Sequence, residues 1–188
     1  MLLPSVGRAS TGDRITVTIF GAGLMLGGWI TASALWLLSG IGTVIPSPAV
    51  VGATGVAGVL ATLRDAKVLS CPLPEARRLV PERVLRKGPL VGPFQFGWEM
   101  GTGVRTYLSS TLPYLVALAL VLTQPSYVMA MIGGLAFGLG RAAMLVSRLV
   151  SHDGEEWDTR LAASLGWLSP FCTAAGAAAG FWIAISSQ

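Results

Sequence analysis

The sequence predicts an all-α fold, a polytopic integral membrane bundle, and three observations carry that reading. Four stretches, 15–38, 44–63, 111–123 with 126–147, and 161–185, are almost free of charge. Mean hydropathy is +0.67, and only 12% of the 188 residues are charged. Runs such as Leu115-Val116-Ala117-Leu118-Ala119-Leu120 do not alternate. A membrane-crossing helix needs about 20 predominantly apolar residues, whereas barrel strands alternate over about 10. Only these two structures satisfy every backbone polar group in lipid, so helices are expected.

Span 1 is read from Ile15 to Leu38. Its apolar run of about 24 residues exceeds the roughly 7–15 of a signal-peptide core, so it is expected to stay uncleaved. Span 2 runs from Val44 to Leu63 and is entered through Pro46 and Pro48, where a missing amide costs little. A polar segment follows from Arg64. Span 3, Gly88 to Tyr107, has the right length but carries Gln95, Glu99 and Arg105. Span 4, Leu108 to Thr123, contains Pro113, and Gln124-Pro125-Ser126 makes a tight turn before span 5, Tyr127 to Leu149. An acidic loop leads to span 6, Leu161 to Ile185, with Asp158 as its expected cap. The whole of 1–188 thus reads as a single membrane domain with a basic loop at 64–88 and an acidic loop at 150–160. Six transmembrane helices are preferred. Five arise if 94–123 is one tilted helix kinked at Pro113, which moves the acidic loop to the opposite side. Phe96-Gly97 with Arg105, and Phe137-Gly138 with Arg141, form a weak echo that would suit two three-helix halves.

The net charge is +4. Its excess sits beside the spans, so it argues for orientation rather than for nucleic acid as a partner. Seven basic residues between Arg64 and Lys87 make that loop cytoplasmic, and the N-terminus with it, in a plasma (inner) membrane. Pro74–Lys87 interleaves Leu79, Val80, Val84 and Leu85 with basic residues, so residues 77–87 suit anionic lipid headgroups as a partner. Eleven arginines against two lysines, with abundant Ala and Gly, fit a GC-rich bacterial source.

Glu99 is the leading candidate for function. Gln95, Glu99, Thr102 and Thr106 fall at i, i+4, i+7 and i+11, one stripe of a helix. An intramembrane carboxylate costs about 2.5–3.5 kcal/mol on insertion scales and must face the bundle interior, water or a cation. The stripe is therefore read as a substrate or ion site, against the alternative of a network that locks helices together. Arg141, deep in span 5, needs a carboxylate, a backbone carbonyl or an anionic ligand. Arg105 and Arg148 suit snorkelling to the interface. Gly23 and Gly27, Gly97 and Gly101, Gly134 and Gly138, and Gly176 and Gly180 are each four apart, a spacing that lets helices approach closely within a tight bundle or a homodimer.

The sequence contains no nucleophile–base set, paired carboxylates, metal-ligand spacing or cofactor motif, so an enzyme is disfavoured and no cofactor is expected. His152 with its acidic neighbours reads as a solvated turn. Cys71 lies in Ser70-Cys71-Pro72-Leu73-Pro74, and Cys172 follows Ser169-Pro170-Phe171. This Ser/Cys/Pro cluster resembles, over five residues, the membrane thiol-electron carriers of the cytochrome-c-biogenesis CcdA type, which place a reactive Cys beside Pro in each half. Here Cys71 falls in a loop and the order at Cys172 is reversed, which leaves two unrelated cysteines as the simpler reading. Three functions follow: a transporter or permease using the polar stripe, a structural subunit or assembly factor of a larger membrane complex, and thiol–disulfide electron transfer.

Overall fold

The computed structural model describes residues 11–70, 88–103, 110–151 and 153–186. They form α1 (Thr11–Leu38), α2 (Ser47–Asp65), α3 (Val91–Gly101), α4 (Leu112–Thr123), α5 (Tyr127–Val150) and α6 (Gly154–Ser186), with a short 3₁₀ turn at Ser39–Val44. The fold is all-α, as expected. Parts of four helices are long and apolar enough to cross a membrane: Ile15–Leu38, Ser47–Asp65, Tyr127–Arg148 and Gly154–Ser186. Large apolar side chains such as Val59, Ile132 and Trp182 are exposed around the bundle. That is the surface lipid requires, because bundle assembly does not remove these side chains from water.

Local sequence explains the helix ends. Pro48 and Pro113 lie in the first turns of α2 and α4, where their missing amides cost little. Pro113 therefore begins a helix rather than kinking one. Gln124 ends α4 in the left-handed conformation (φ 48°), held by its Nε2 donating to the Ser39 carbonyl at 2.6 Å. Ser126 caps α5 by accepting from the Met129 amide. At α6 the expected cap is corrected. Asp153 accepts from the Glu155 and Glu156 amides at 2.9 and 3.2 Å, while Asp158 is engaged by Arg148 at 2.8 and 2.7 Å. The acceptor must stand just before the first turn, where the unpaired amides point, and Asp158 is a full turn too late.

Helix directions follow from which residues meet. Gly23 lies against Phe94 and Trp98, and Gly27 against Gly101 and Thr102, so α1 and α3 are parallel. Gly28 meets Gly134 and Leu24 meets Gly138, so α5 is antiparallel to α1. Gly58 faces Ala177 while Asp65 reaches Thr173 and Ser169, so α6 is antiparallel to α2. Leu112 meets Gly176 and Ala119 meets Gly180, so α4 is parallel to α6. The C-terminal end of α4 lies with that of α1, where Trp36 Nε1 donates to the Pro125 carbonyl at 3.0 Å and stacks edge-on against Tyr127.

These directions change the expected path of the chain. All six helices are present, but α3 and α4 have only 11 and 12 residues. At 1.5 Å per residue they are about 16 and 18 Å long, against about 30 Å of hydrocarbon. Both run in the direction of α1. α3 ends beside Thr31, just before Gly103 (φ 69°), and α4 begins beside Asp65. Each of α3 and α4 is thus about half as long as the hydrocarbon is thick, and the two run in the same direction. Because α5 is antiparallel to α1, Ser151 and Asp153 lie at the same end of the bundle as the start of α1, where the five-span alternative rather than the six-span one would put the acidic loop.

The bundle does divide into three-helix groups, but they interleave in sequence. α1 packs against α3 and α5, and α2 against α4 and α6. Two of the glycine pairs meet directly: a Cβ on Gly27 would lie 2.5 Å from the Trp98 carbonyl oxygen, and one on Gly23 would lie 2.9 Å from the Trp98 amide nitrogen. Gly134 and Gly138 bring α5 equally close to α1. All four pairs therefore act inside one chain: three let backbones pack where side chains would hold them apart, and Gly176 and Gly180 make room for Leu112 and Ala119 of α4.

Candidate functional site

Two carboxylates lie among the helices, and the structure treats them differently. Glu99 is in the last turns of α3. Its neighbours Phe94, Gln95, Trp98 and Thr102 project from the same helix into a groove of about 680 Å³. The opposite wall is α1, through Ile30, Thr31, Ala34, Leu35 and Leu38. Gln95 Nε2 donates to Glu99 Oε1 at 3.0 Å, and Thr102 Oγ1 donates to the Glu99 carbonyl at 2.8 Å. Thr31 Oγ1 donates to the Thr102 carbonyl at 3.1 Å and fixes the end of α3 on α1. Ile30, Leu38, Val91 and Trp98 are exposed, so the groove opens sideways onto the surface that faces lipid. Gln95, Glu99 and Thr102 are thus brought together as the spacing predicted, while Thr106 lies outside the described residues.

Arg141 is held elsewhere. Its Nη1 donates to the Met100 carbonyl at 3.0 Å, and its guanidinium lies 5.6 Å from the Phe137 ring centre, one turn earlier on α5. It is not among the described residues that line the groove. A backbone carbonyl, one of the three partners its depth demands, is what the fold supplies. Met100 is in the last turn of α3, and its carbonyl also accepts from the Gly103 amide at 3.3 Å, so the guanidinium adds a charged donor at a helix end.

Asp65 is the residue that sequence reasoning missed, having placed it in the polar loop. It is the last residue of α2, and its side chain has no exposed surface. Oδ1 and Oδ2 accept from the Thr111 amide at 3.1 and 2.9 Å, and the Thr111 hydroxyl donates to Oδ1. Oδ2 also accepts from Ser110 at 2.9 Å, Ser169 at 3.2 Å and Thr173 at 2.7 Å. Arg64 Nη1 lies 3.1 Å from Oδ1. One carboxylate therefore ties the end of α2 to the start of α4 and to the middle of α6, beside Pro170. The available signals were a carboxylate ending an apolar run, Ser110-Thr111 opening another, and Ser169 and Thr173 one turn apart. They lie 45 to 108 positions apart and converge only through packing.

A second groove, about 460 Å³, runs between α2 and α6 and is lined by Gly55, Gly58, Ala174, Ala177 and Phe181. It offers no ionisable group among the described residues. No group of three or more His, Cys, Asp or Glu side chains that would hold a metal occurs among the described residues. Cys172 is exposed on α6. Cys71, Arg105, His152 and the headgroup-binding stretch 77–87 lie outside the described residues, so no geometry joins the two cysteines. The chain matches no protein-family model, no curated protein and no solved structure.

Proposed function

We propose that this protein is a small transporter or permease for a solute or ion, with Gln95, Glu99 and Thr102 along its path. The observation that carries the reading is α3 itself: a half-length helix that stops inside the bundle and lays its polar stripe along an open groove. Non-helical backbone at membrane depth is tolerated only where it is buried in protein or borders a water-filled space, and broken helices are how many transporters present polar groups near mid-membrane. The Gly103 turn beside Thr102 supplies such an interruption. By the positive-inside rule, the end bearing the N-terminus and the loop at 64–88 faces the cytoplasm of a plasma membrane.

The test is flux in proteoliposomes across a panel of ions and small solutes, with Glu99→Gln beside the native protein. Flux that disappears in the variant while its thermal midpoint holds supports the reading. A native protein that moves none of the panel counts against it.

A second reading is favoured by the sideways opening of the groove, which would also admit a helix of another subunit. Stoichiometric partners eluting with the protein from native membranes in mild detergent would replace the transporter by a subunit of a larger complex. One or two copies of this chain alone would not.

A further inference from the structure

The half-length α3 leaves the upper part of α1 without a helix beside it on the open side of the groove. We infer that the α1–α3 groove holds one acyl chain of a bilayer phospholipid, which lies along the two helices and, on the reading of that groove as a solute path, closes the path on its open side.

The walls suit such an occupant. Seven of the eleven described lining residues are apolar, among them Ile30, Leu35, Leu38, Phe94 and Trp98. The polar ones are engaged within the protein. Gln95 donates to Glu99, and the Thr102 and Thr31 hydroxyls donate to the Glu99 and Thr102 carbonyls. Gln95 and Glu99 each make a further interaction as well. An occupant therefore need not supply these groups with a bond, and what it gains is dispersion contact with apolar side chains.

Shape narrows the choice. The lining follows α3 from Val91 to Thr102 for about 16 Å, then passes the end of α3 and follows α1 from Thr31 to Leu38 for about 10 Å more. α1 and α3 are parallel, so this length runs with the spans, as lipid chains do. About 680 Å³ spread over that length is a slot rather than a chamber. A helix is about 10–12 Å across with its side chains, and over the same length it takes up several times that volume. A single flexible hydrocarbon chain matches the slot.

Access and role agree with this. The groove is continuous with the lipid-facing surface, because Ile30, Leu38, Val91 and Trp98 are exposed along its edges. An acyl chain enters sideways without leaving hydrocarbon, and an empty slot would forfeit the contacts its walls make when filled. A polar solute passing Gln95, Glu99 and Thr102 needs its route separated from the bilayer, and no described helix stands on the open side.

The experiment is photolabelling of the full-length protein in nanodiscs with a phospholipid that carries a diazirine midway along one acyl chain. Labelled residues are read by peptide mass spectrometry. Labelling at Leu35, Leu38 and Trp98 is expected to stand severalfold above that at Ile132 and Ile183, which are exposed on α5 and α6. It should reach a plateau as the probe fraction rises, while labelling at Ile132 and Ile183 grows in proportion. Ala34→Trp, which fills the slot, brings the groove down to the level of Ile132, and Ala136→Trp on the exposed face of α5 leaves it unchanged. Leu38→Trp at the rim takes its place if Ala34→Trp does not fold. Groove labelling no higher than at Ile132, labelling without a plateau, or labelling indifferent to both Ala34→Trp and Leu38→Trp overturns the inference. So does a diazirine fatty acid that displaces the phospholipid. A groove labelled in nanodiscs but not in native membranes places a partner helix there and overturns it as well. Flux plays no part in these readouts. An unoccupied groove in a protein that still moves solute breaks this inference alone, and a bound chain in a protein that moves nothing breaks the transporter reading and leaves the lipid site.

Discussion

Asp65 and Glu99 are two acids in the same bundle under opposite regimes. Asp65 has a fully buried side chain, accepts from donors at the start of α4 and in α6, and lines neither of the two grooves. Glu99 is half-buried, takes a bond from the amide one turn before it, and borders a groove large enough for a ligand. A carboxylate saturated by hydroxyls and an amide is glue, because displacing any donor exposes a charge. Glu99 sits instead on a half-length helix beside open space. The helices follow the same division, with α2, α4 and α6 knotted by Asp65, and α1 packed through glycines against α3 and α5, the groove lying between α1 and α3.

The largest expected effect tests the glycine side. Gly27→Leu drives a side chain into the α3 backbone, which a Cβ alone would already approach to 2.5–2.9 Å at Trp98, Gly101 and Thr102. The cost reaches or exceeds the upper end of overpacking, about 3 kcal/mol. Loss of the monodisperse folded species in detergent checks this, and a Gly27→Leu variant with a native midpoint would contradict the parallel α1–α3 contact. Next comes the knot. Asp65→Ala leaves Ser110, Thr111 and Thr173 without their acceptor and should lower stability by about 2–4 kcal/mol, since bonds to a charged group contribute about 1.5–3 each in soluble proteins and less in membranes. Denaturation in mixed micelles measures it. A shift as small as that of Glu99→Gln would erase the contrast between the two acids. Arg141→Met should cost about 1 kcal/mol and speed amide exchange near Met100, because the Met100 carbonyl loses the charged one of its donors. Smallest of all, Asp158→Asn breaks an exposed pair with Arg148 and should leave the thermal midpoint unchanged.

The groove was partly legible in advance. Gln95, Glu99 and Thr102 are linked by helical period, a local property, and α3 preserves it. The knot was illegible because its donors come from positions whose nearness depends on how α2, α4 and α6 pack. The short lengths and shared direction of the third and fourth helices were illegible for a related reason. Hydropathy counts apolar residues but does not record direction, and 88–123 contains enough of them for two spans or one.

What the sequence determined by itself is the solvent and the secondary structure. Apolar runs of sufficient length must be helical in lipid, and residues one turn apart must share a face. Only the tertiary structure decided that α3 and α4 run the same way, that α1 packs with α3 and α5 and α2 with α4 and α6, and that Asp65 is buried while Glu99 borders a groove. Those outcomes depend on which surfaces meet. In lipid, close backbone approach at glycines and the satisfaction of buried polar groups choose among packings that hydrophobicity leaves nearly equivalent.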